Sequence, residues 1–275
     1  MNHILSNASD LIGRIRESKP LVHHITNYVT VNDCANITLA VGASPIMADA
    51  VEEVREIAAI SGSLVLNIGT LNERTINAML AAGKKANERH VPVVLDPVGA
   101  GASVFRNQTV GKLIEQVHFN IIRGNLSEIR YIAGLGGTTK GVDASETDLC
   151  GDTQSGIDIA KALADKLRCV IAITGATDII SDGKKTVLIE NGHKMLGAVT
   201  GTGCMCSSLV GSACAATSDY FLAAVSGILY MGIAGEIAFE NAGQNGTGSF
   251  RVSAIDEISK LDADTVRRRA KLYEA

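Results

Sequence analysis

The amino-acid sequence predicts an α/β fold in which a mostly parallel central sheet carries helices on both faces and ends in an antiparallel edge. Short apolar runs with little polar alternation are repeatedly followed by longer helical segments. Strands covered on both faces by helices have this composition, and their alternation with helices is typical of a parallel, doubly wound sheet. A hairpin signal, DGKK at residues 182–185, predicts the antiparallel edge.

The first half of the chain repeats this alternation of strands and helices. An amphipathic helix is predicted over residues 8–18 and ends before Pro20. A strand over 21–25 and a helix over 32–41 come next, with Gly42 placed to close the helix. Four strand and helix pairs follow, over 44–48 and 52–60, 64–68 and 72–89, 91–95 and 104–117, and 119–122 and 126–133.

The second half is predicted to complete the sheet and cover it. Residues 134–151 are glycine-rich and polar, which is typical of a connecting loop. The tail is expected to hold a strand over 250–252 and a charged helix over 262–274. The remaining predicted elements are a helix over 156–167, strands over 169–173, 178–181 and 186–189, and helices over 204–216 and 221–240. Because no stretch has the composition of a linker, we expect one domain over residues 1–275.

The composition of the chain limits the kinds of ligand that it is expected to bind. Of the 275 residues 46% are hydrophobic, enough for a large core, and the net charge of −4 offers no basic surface to nucleic acid or to anionic lipid. The six cysteines are scattered without paired spacing, as in a reduced, cytoplasmic protein. The uncharged run 195–218 is rich in Gly, Thr, Ser and Cys, and the apolar run 221–235 is too short to span a membrane. A small-molecule ligand is therefore expected.

Residues 200–206, with the sequence TGTGCMC, form the most informative stretch of the chain. The pattern is typical of a glycine turn that opens a helix, since Gly201 and Gly203 allow the backbone to approach another group closely. The start of a helix presents unpaired N–H groups and the positive end of the helix dipole. We therefore expect an anion to bind at this turn, with Cys204 beside it.

Four polar residues at predicted strand ends suit phosphoryl transfer, because parallel strands place their carboxyl ends at one edge of the sheet. Asp96 and Glu128 follow successive strands, and we expect them to converge on one site through Mg²⁺ or water. Arg123 and Thr174 lie at strand ends from which side chains reach phosphate oxygens. With the glycine turn as an anion hole, these residues meet the requirements of a phosphotransferase.

Each of these residues also has a purely structural interpretation. Asp96 or Glu128 is able to cap a helix, Arg123 is able to pair with either carboxylate, and the two glycines of the turn are able to close a helix. The joint placement of the residues at one sheet edge favours a function.

Other ligand-binding motifs are incomplete. The turn Gly99-Ala100-Gly101 resembles a dinucleotide fingerprint, but Val104 occupies the third glycine position. Lys185 follows Gly183-Lys184 where a Walker A motif has Ser or Thr. The histidines show no metal-ligand spacing.

Six motifs, in order along nearly the whole chain, resemble those of the hydroxyethylthiazole kinase family, which is ribokinase-like. They are LVHHITN at 21–27, GASPIMA at 42–48, LNIGTL at 66–71, DPVGAG at 96–101, RGNLSEI at 123–129 and TGTGC at 200–204. The resemblance implies ATP-dependent phosphorylation of the primary alcohol of 4-methyl-5-(2-hydroxyethyl)thiazole in thiamine salvage. It implies Mg²⁺ as the metal, with Asp96 and Glu128 in the magnesium and phosphate region.

The resemblance also implies roles for individual residues. Met47 and Gly201 are expected to contact the thiazole, with Asn27 nearby, and Arg123 and Thr174 are expected to contact ATP. Members of the family are typically homotrimers with sites at subunit interfaces, which implies the same assembly here.

Cys204 stands where the ribokinase-like sugar kinases have an aspartate that takes the proton of the acceptor hydroxyl, and thiazole kinases resemble this chain in having cysteine. An ordinary thiol, with a pKa of about 8.5, is mostly protonated at neutral pH, although a helix N-terminus lowers that value. We therefore hypothesise that Cys204 positions the hydroxyl more than it deprotonates it. Three alternatives stay open at this point: a kinase for hydroxymethylpyrimidine or pyridoxal, a nicotinamide-dependent oxidoreductase, and a ligand-binding protein without catalysis.

Overall fold

The central sheet has the parallel body and the antiparallel edge that the sequence predicts. The structure is a computed structural model and describes residues 2–134 and 153–275, so the predicted loop lies, apart from Gly134, outside the described residues. The strands of the described part are β1 (Leu21–Ile25), β2 (Ser44–Ile46), β3 (Ser63–Asn67), β4 (Val93–Asp96), β5 (Ile121–Asn125), β6 (Val170–Thr174), β7 (Asp178–Ser181), β8 (Thr186–Ile189) and β9 (Leu272–Glu274).

The strand order across the sheet is β2-β1-β3-β4-β5-β6-β7-β8-β9. Strands β1 to β6 are parallel, and β7, β8 and β9 each pair antiparallel with the strand before them. The chain leaves β1 toward β2 on one side and then returns to β3 on the other side. This reversal creates a topological switch point between β1 and β3, and in open α/β sheets ligands bind at the carboxyl ends of the strands beside such a point.

Helices cover both faces of the sheet. The described α-helices are α1 (Asn2–Ser18), α2 (Val31–Val41), α3 (Val54–Ile60), α4 (Glu73–Glu88), α5 (Val104–Gln116), α6 (Leu126–Ile132), α7 (Thr153–Leu167), α8 (Thr202–Cys214), α9 (Tyr220–Ala242), α10 (Thr247–Lys260) and α11 (Ala263–Arg269). Most agree with the predicted helices to within a few residues at each end. Side-chain caps at Asn72, Ser103 and Asp219 fix the starts of α4, α5 and α9.

An apolar core lies between the sheet and the helices on each of its two faces. Helices α1, α2, α8 and α9 form one core against the sheet, and α3 to α7 form the other. Alternate residues of a strand enter opposite cores, so that Val65 packs in the first while Leu64 and Leu66 pack in the second. All three side chains are buried, which is why the strands read as continuous apolar runs.

Two predictions for the tail are wrong. The expected strand over 250–252 lies inside α10, because Phe250, Ala254 and Ile258 recur at helical spacing and are fully buried. The expected terminal helix ends at Arg269, and the last residues form β9, which pairs with β8. In both places a tertiary partner outweighed local preference.

One helical segment of the described residues, Tyr220–Asn245, is long and apolar enough by length and composition to cross a membrane. Of its most apolar window, 89% is buried inside the protein, as in the core helix of a globular fold.

Candidate active site

Cys204, at the start of α8, lies beside the carboxyl ends of β1 and β3. Asn27 follows β1, Asn67 ends β3, and each side-chain amide places its nitrogen 3.3 Å from the sulfur of Cys204. The two amides also bond to each other, at 3.0 Å between Asn27 Nδ2 and Asn67 Oδ1. The topological switch therefore brings together residues that are 177 and 137 positions apart from Cys204.

Burial is the main cause that raises the pKa of the Cys204 thiol, and the nearby Asp96 carboxylate raises it further. Hydrogen bonds from Thr30, Asn27 and Asn67 act in the opposite direction without reversing the shift. Cys204 is consequently a thiol rather than a thiolate at neutral pH.

Asp96 ends β4 and is almost completely buried. Its Oδ2 accepts hydrogen bonds at 2.8 Å from Asn67 Nδ2 and from Ser207 Oγ. Burial raises the pKa of Asp96, while Arg123, Ser207 and Asn67 lower it in part. The carboxylate thus lies in a polar pocket under the start of α8, one strand away from the switch point.

Glu128 caps a helix, which is the structural role considered for it above, and the charge of Asp96 acts on its carboxylate. It lies in the first turn of α6 and forms a capping box with Asn125, whose backbone N–H donates to Glu128 Oε2 at 2.8 Å. Its Oε1 accepts from the backbone N–H of Gly99 at 2.7 Å. Burial raises the pKa of Glu128 to about 7, and the charge of Asp96 adds to this effect.

Arg123 and Thr174 lie on neighbouring strands and contact each other. Thr174 ends β6, whereas Arg123 lies inside β5, two residues before the end where the sequence placed it. Arg123 Nη2 donates to Thr174 Oγ1 at 2.6 Å, and Nη1 donates to the carbonyl of Gly203 at 3.1 Å. Nη1 also lies 3.7 Å from Asp96 Oδ2. Among the described residues, the buried Nε of Arg123 has no hydrogen-bond partner. A fixed positive charge with a spare donor therefore lies directly beneath the glycine turn.

The glycine turn adopts a conformation that depends on its two glycines. Gly201 precedes α8 with a φ of +90°, a conformation that side chains rarely adopt. The first intrahelical bond runs from Met205 N to Gly201 O, so that the N–H groups of Thr202, Gly203 and Cys204 precede it. A Cβ on Gly203 would lie 3.0 Å from Arg123 Nη1, which leaves room only for glycine unless the guanidinium moves.

Most of the predicted site residues form one connected group. Asn27, Cys204 and Asp96 are joined through Asn67, and Arg123 links Asp96 to Thr174. Met47 follows β2 at the same edge of the sheet but two strands from Asn67, outside this hydrogen-bonded group.

The position of the chain beside Met47 is fixed by a histidine. His23 Nε2 lies 2.7 Å from the carbonyl of Ala48, the residue after Met47.

The carboxylates of Asp96 and Glu128 suit Mg²⁺ if oxygens of the substrate complete its coordination shell. No group of three or more His, Cys, Asp or Glu side chains in the described ranges is arranged to hold a metal by itself. Mg²⁺ commonly takes only one or two carboxylates and completes its shell with water and phosphate oxygens. The protein hydrogen bonds of Asp96 and Glu128 leave free acceptor capacity, and a cation would offset the mutual repulsion that raises the pKa of Glu128.

Sequence reasoning assigned no role to three residues of this region, although Asn67 lies in the LNIGTL motif. Asn67 had a usable signal, since it is a polar residue at the end of a buried strand and lies in register with Asp96. Ser207 lies one helical turn after Cys204, so the spacing alone places both on one face of α8. No feature of the sequence pointed to Arg106. In the structure its guanidinium donates to the carbonyls of residues 68, 69 and 98 and so holds together the loops after β3 and β4.

Comparison with known proteins gives a consistent result. A model of the hydroxyethylthiazole kinase family matches residues 12–264. The hydroxyethylthiazole kinase of Clostridium beijerinckii is 60% identical, over 99% of both chains. That of Methanocella arvoryzae is 47% identical, over 96% of this chain and 97% of the relative.

Solved structures agree with these relatives. The hydroxyethylthiazole kinase protein from Pyrococcus horikoshii OT3 superposes with a TM-score of 0.88 at 36% identity, over 100% of both chains. A pyridoxal kinase from Bacillus subtilis shares the fold alone, with a TM-score of 0.60 at 17% identity, over 78% of this chain and 91% of that one. The predicted ribokinase-like fold is thus confirmed. Because the family model spans the glycine turn and every strand that carries the site, the chain belongs to the hydroxyethylthiazole kinase family.

Proposed function

We propose that the protein transfers the terminal phosphoryl group of ATP to the primary alcohol of 4-methyl-5-(2-hydroxyethyl)thiazole, a reaction of thiamine salvage. The observation that carries the proposal is the glycine turn at the start of α8, held directly above the buried Arg123 and Asp96. A phosphoryl group in transfer spreads negative charge over its oxygens, and N–H groups with a nearby guanidinium are suited to bind it. The names of the full-length relatives support the choice of alcohol.

The reaction forms one bond and breaks another. The alcohol oxygen bonds to the γ-phosphorus, the bond from that phosphorus to the oxygen bridging the β- and γ-phosphates breaks, and the alcohol proton is released. ADP leaves with the electron pair of the broken bond. The protein's part is to align the two oxygens and to stabilise charge, since phosphoryl transfer depends chiefly on positioning and electrostatics.

The residues around the turn divide these tasks. We assign the anion hole to the N–H groups at Gly201 to Cys204, and contacts with the phosphates of ATP to Arg123 and Thr174. Asp96 and Glu128 would hold Mg²⁺, which when bound neutralises charge on the phosphate oxygens.

The thiazole would lie at the switch point between β1 and β3, against Asn27 and Gly201, with Met47 contributing from the loop after β2. Cys204 then faces the acceptor hydroxyl. Because its pKa is raised, Cys204 reaches the hydroxyl as a thiol, which agrees with a role in positioning rather than in deprotonation.

We further propose that the whole chain acts as one cytoplasmic domain and assembles as a homotrimer with sites at subunit interfaces. The exposed apolar side chains of Tyr28 and Val29 support this assembly, because they lie in the loop that carries Asn27 and are 79% and 55% exposed. Light scattering during size-exclusion chromatography should give three times the mass of the chain. A monomer with full activity at assay concentration would exclude shared sites.

A coupled assay for ADP release tests the reaction. The thiazole alcohol with ATP and Mg²⁺ should give turnover, and omitting the metal should abolish it. Hydroxymethylpyrimidine and pyridoxal serve as competing acceptors, and faster turnover with either would reassign the substrate. Asp96→Asn should lose most activity, whereas Asp264→Asn, a change at an exposed carboxylate, should lose none. Turnover of a nicotinamide cofactor, or none with any alcohol, would refute the kinase assignment.

A further inference from the structure

Asn67 uses its entire hydrogen-bonding capacity inside the site. Its Oδ1 accepts from Asn27 Nδ2 at 3.0 Å and from the backbone N–H of Gly69 at 2.9 Å. Its Nδ2 donates to Asp96 Oδ2 at 2.8 Å and to Cys204 Sγ at 3.3 Å. A side-chain amide has two acceptor positions and two N–H groups, so all four are engaged. The side chain is 1% exposed, and it has no freedom to turn without breaking several of these bonds.

The orientation of the Asn67 amide follows from its neighbours. A backbone N–H is only a donor, so the atom of Asn67 that faces Gly69 must be the oxygen. The nitrogen is therefore on the side of Asp96 and Cys204.

The same reasoning applies to Asn27. Its Oδ1 accepts from the backbone N–H of Thr30 at 3.1 Å, which turns its nitrogen toward Cys204. Two N–H groups of known direction thus converge on one sulfur atom.

We propose that Asn67 is a positioning residue for phosphoryl transfer, which together with Asn27 holds the sulfur of Cys204 so that its remaining face points at the acceptor hydroxyl. The inference rests on the proposed kinase function, because the hydroxyl is that of the thiazole alcohol. Asn67 does not touch the substrate in this scheme. It acts through Cys204, and its bond to Asp96 ties the acceptor side of the site to the phosphate side.

The surroundings of Cys204 decide how readily its thiol ionises. Among the residues that the structure describes, the charged and titratable groups near it include the Asp96 carboxylate on β4, the Arg123 guanidinium on β5 and the Cys34 thiol on α2. The Asp33 carboxylate, paired with Arg251, lies beside Gly201 of the same turn. Asp96 repels negative charge on the sulfur, and the two amide N–H groups oppose that repulsion. An amide opposes the effect of Asp96 on the sulfur without adding a charge of its own. The net charge next to the proposed anion hole therefore stays the same.

A double-mutant cycle on turnover tests whether Asn67 acts through Cys204. In the otherwise native enzyme, Asn67→Ala should lower kcat about tenfold or more and change the KM for the alcohol less than about threefold. In a Cys204→Ala background the same substitution should lower kcat by a clearly smaller factor, because the sulfur is already gone and only the bonds to Asp96 and to the neighbouring amides are still lost.

Asn120→Ala is the matched control. Asn120 bonds to the backbone N–H of Val93 at the opposite edge of the sheet, so its loss removes a side-chain amide bond away from the site. Its effect on kcat should be small and the same in both backgrounds.

The second readout does not depend on kinase activity. The rate of Cys204 alkylation by iodoacetamide is followed against pH by peptide mass spectrometry, with circular dichroism to confirm folding. Loss of an N–H donor should move the midpoint of the profile upward by about one pH unit, as expected for a hydrogen bond to a charged group. Asn120→Ala should leave the midpoint in place.

An unchanged alkylation midpoint in a folded Asn67 variant would overturn the proposal, and so would losses in kcat that simply multiply in the double mutant. Asn67→Ser serves both measurements if the alanine variant does not fold. If the native enzyme fails to phosphorylate the thiazole alcohol, the proposed function fails while the alkylation profile still reports on Asn67. The two failures are therefore distinguishable.

Discussion

Arg123 and Asp96 face each other beneath the glycine turn, with 3.7 Å between Nη1 and Oδ2 and side chains that are 12% and 2% exposed. Burial alone would lower the pKa of Arg123, but neighbouring groups, Asp96 among them, raise it overall. Each charge lies in a place where water solvates it poorly, so each depends on the other. The pair joins the predicted metal region to the predicted ATP contacts.

Two substitutions of Arg123 distinguish the effect of its charge from the effect of its shape. Arg123→Met should destabilise the fold by about 3–5 kcal/mol, because it leaves Asp96 buried without a counter-charge. Arg123→Lys should cost less stability but still lose most of kcat, because an ammonium does not reproduce the fork that reaches Gly203 and Thr174. Urea unfolding and turnover measure the two effects.

Arg74→Lys is the control for that comparison, since Arg74 pairs with Asp49 at the surface. It should change stability by less than about 1 kcal/mol. Equal losses of stability at Arg74 and Arg123 would contradict the importance given to burial.

Gly203→Ala should abolish most turnover and leave the fold intact. The new Cβ would meet Arg123 Nη1 at 3.0 Å and displace the guanidinium from the turn. Gly111→Ala is the matched helical control, because nothing lies within 4 Å of its added Cβ, and it should be neutral or stabilise by up to about 1 kcal/mol. Full activity of Gly203→Ala, measured as ADP release, would show that the turn tolerates a displaced Arg123.

Substitutions of Cys204 test whether it positions or deprotonates the hydroxyl. Cys204→Asp should keep or raise turnover, since the Asn27 and Asn67 amides bind a carboxylate as readily as a sulfur. Cys204→Ala should lower kcat by less than about a hundredfold, which is less than the loss expected when a general base is removed. Cys214→Ala, in the same helix, controls for loss of a buried thiol. Abolished activity in Cys204→Ala with ligand binding retained would contradict the positioning role.

The contribution of Asp178 to stability should fall as the pH rises toward neutrality. Burial raises the pKa of Asp178 from 3.8 to about 7, so its contribution is fully present below about pH 4 and is lost as the pH rises through about 7. Asp178→Asn removes this dependence and keeps an oxygen for the N–H of Gly175. In urea unfolding, the variant should equal the native protein near pH 4 and exceed it by a few kcal/mol at pH 8. Parallel curves would show that Asp178 does not titrate as described.

Local patterns were sufficient for most of the fold, because burial on both faces leaves a direct mark on a strand's composition. The hairpin strands β7 and β8 agree with prediction to the residue, since DGKK specifies the turn. The tail was not predictable in this way. Phe250 and Val252 favour a strand locally, but the buried spacing from Phe250 to Ile258 belongs to a helix that packs on α2 and α9.

The sequence by itself determined the class of fold, the edge of the sheet that carries the site, and the convergence of Asp96, Arg123 and the glycine turn. These follow from periodicity and strand ends, which are local. Only the tertiary structure decided that Asn67 would join Cys204 to Asp96 and that Arg106 would clamp two loops. Such contacts depend on the strand order, which brings β3 and β4 side by side and leaves no trace in the spacing of residues along the chain.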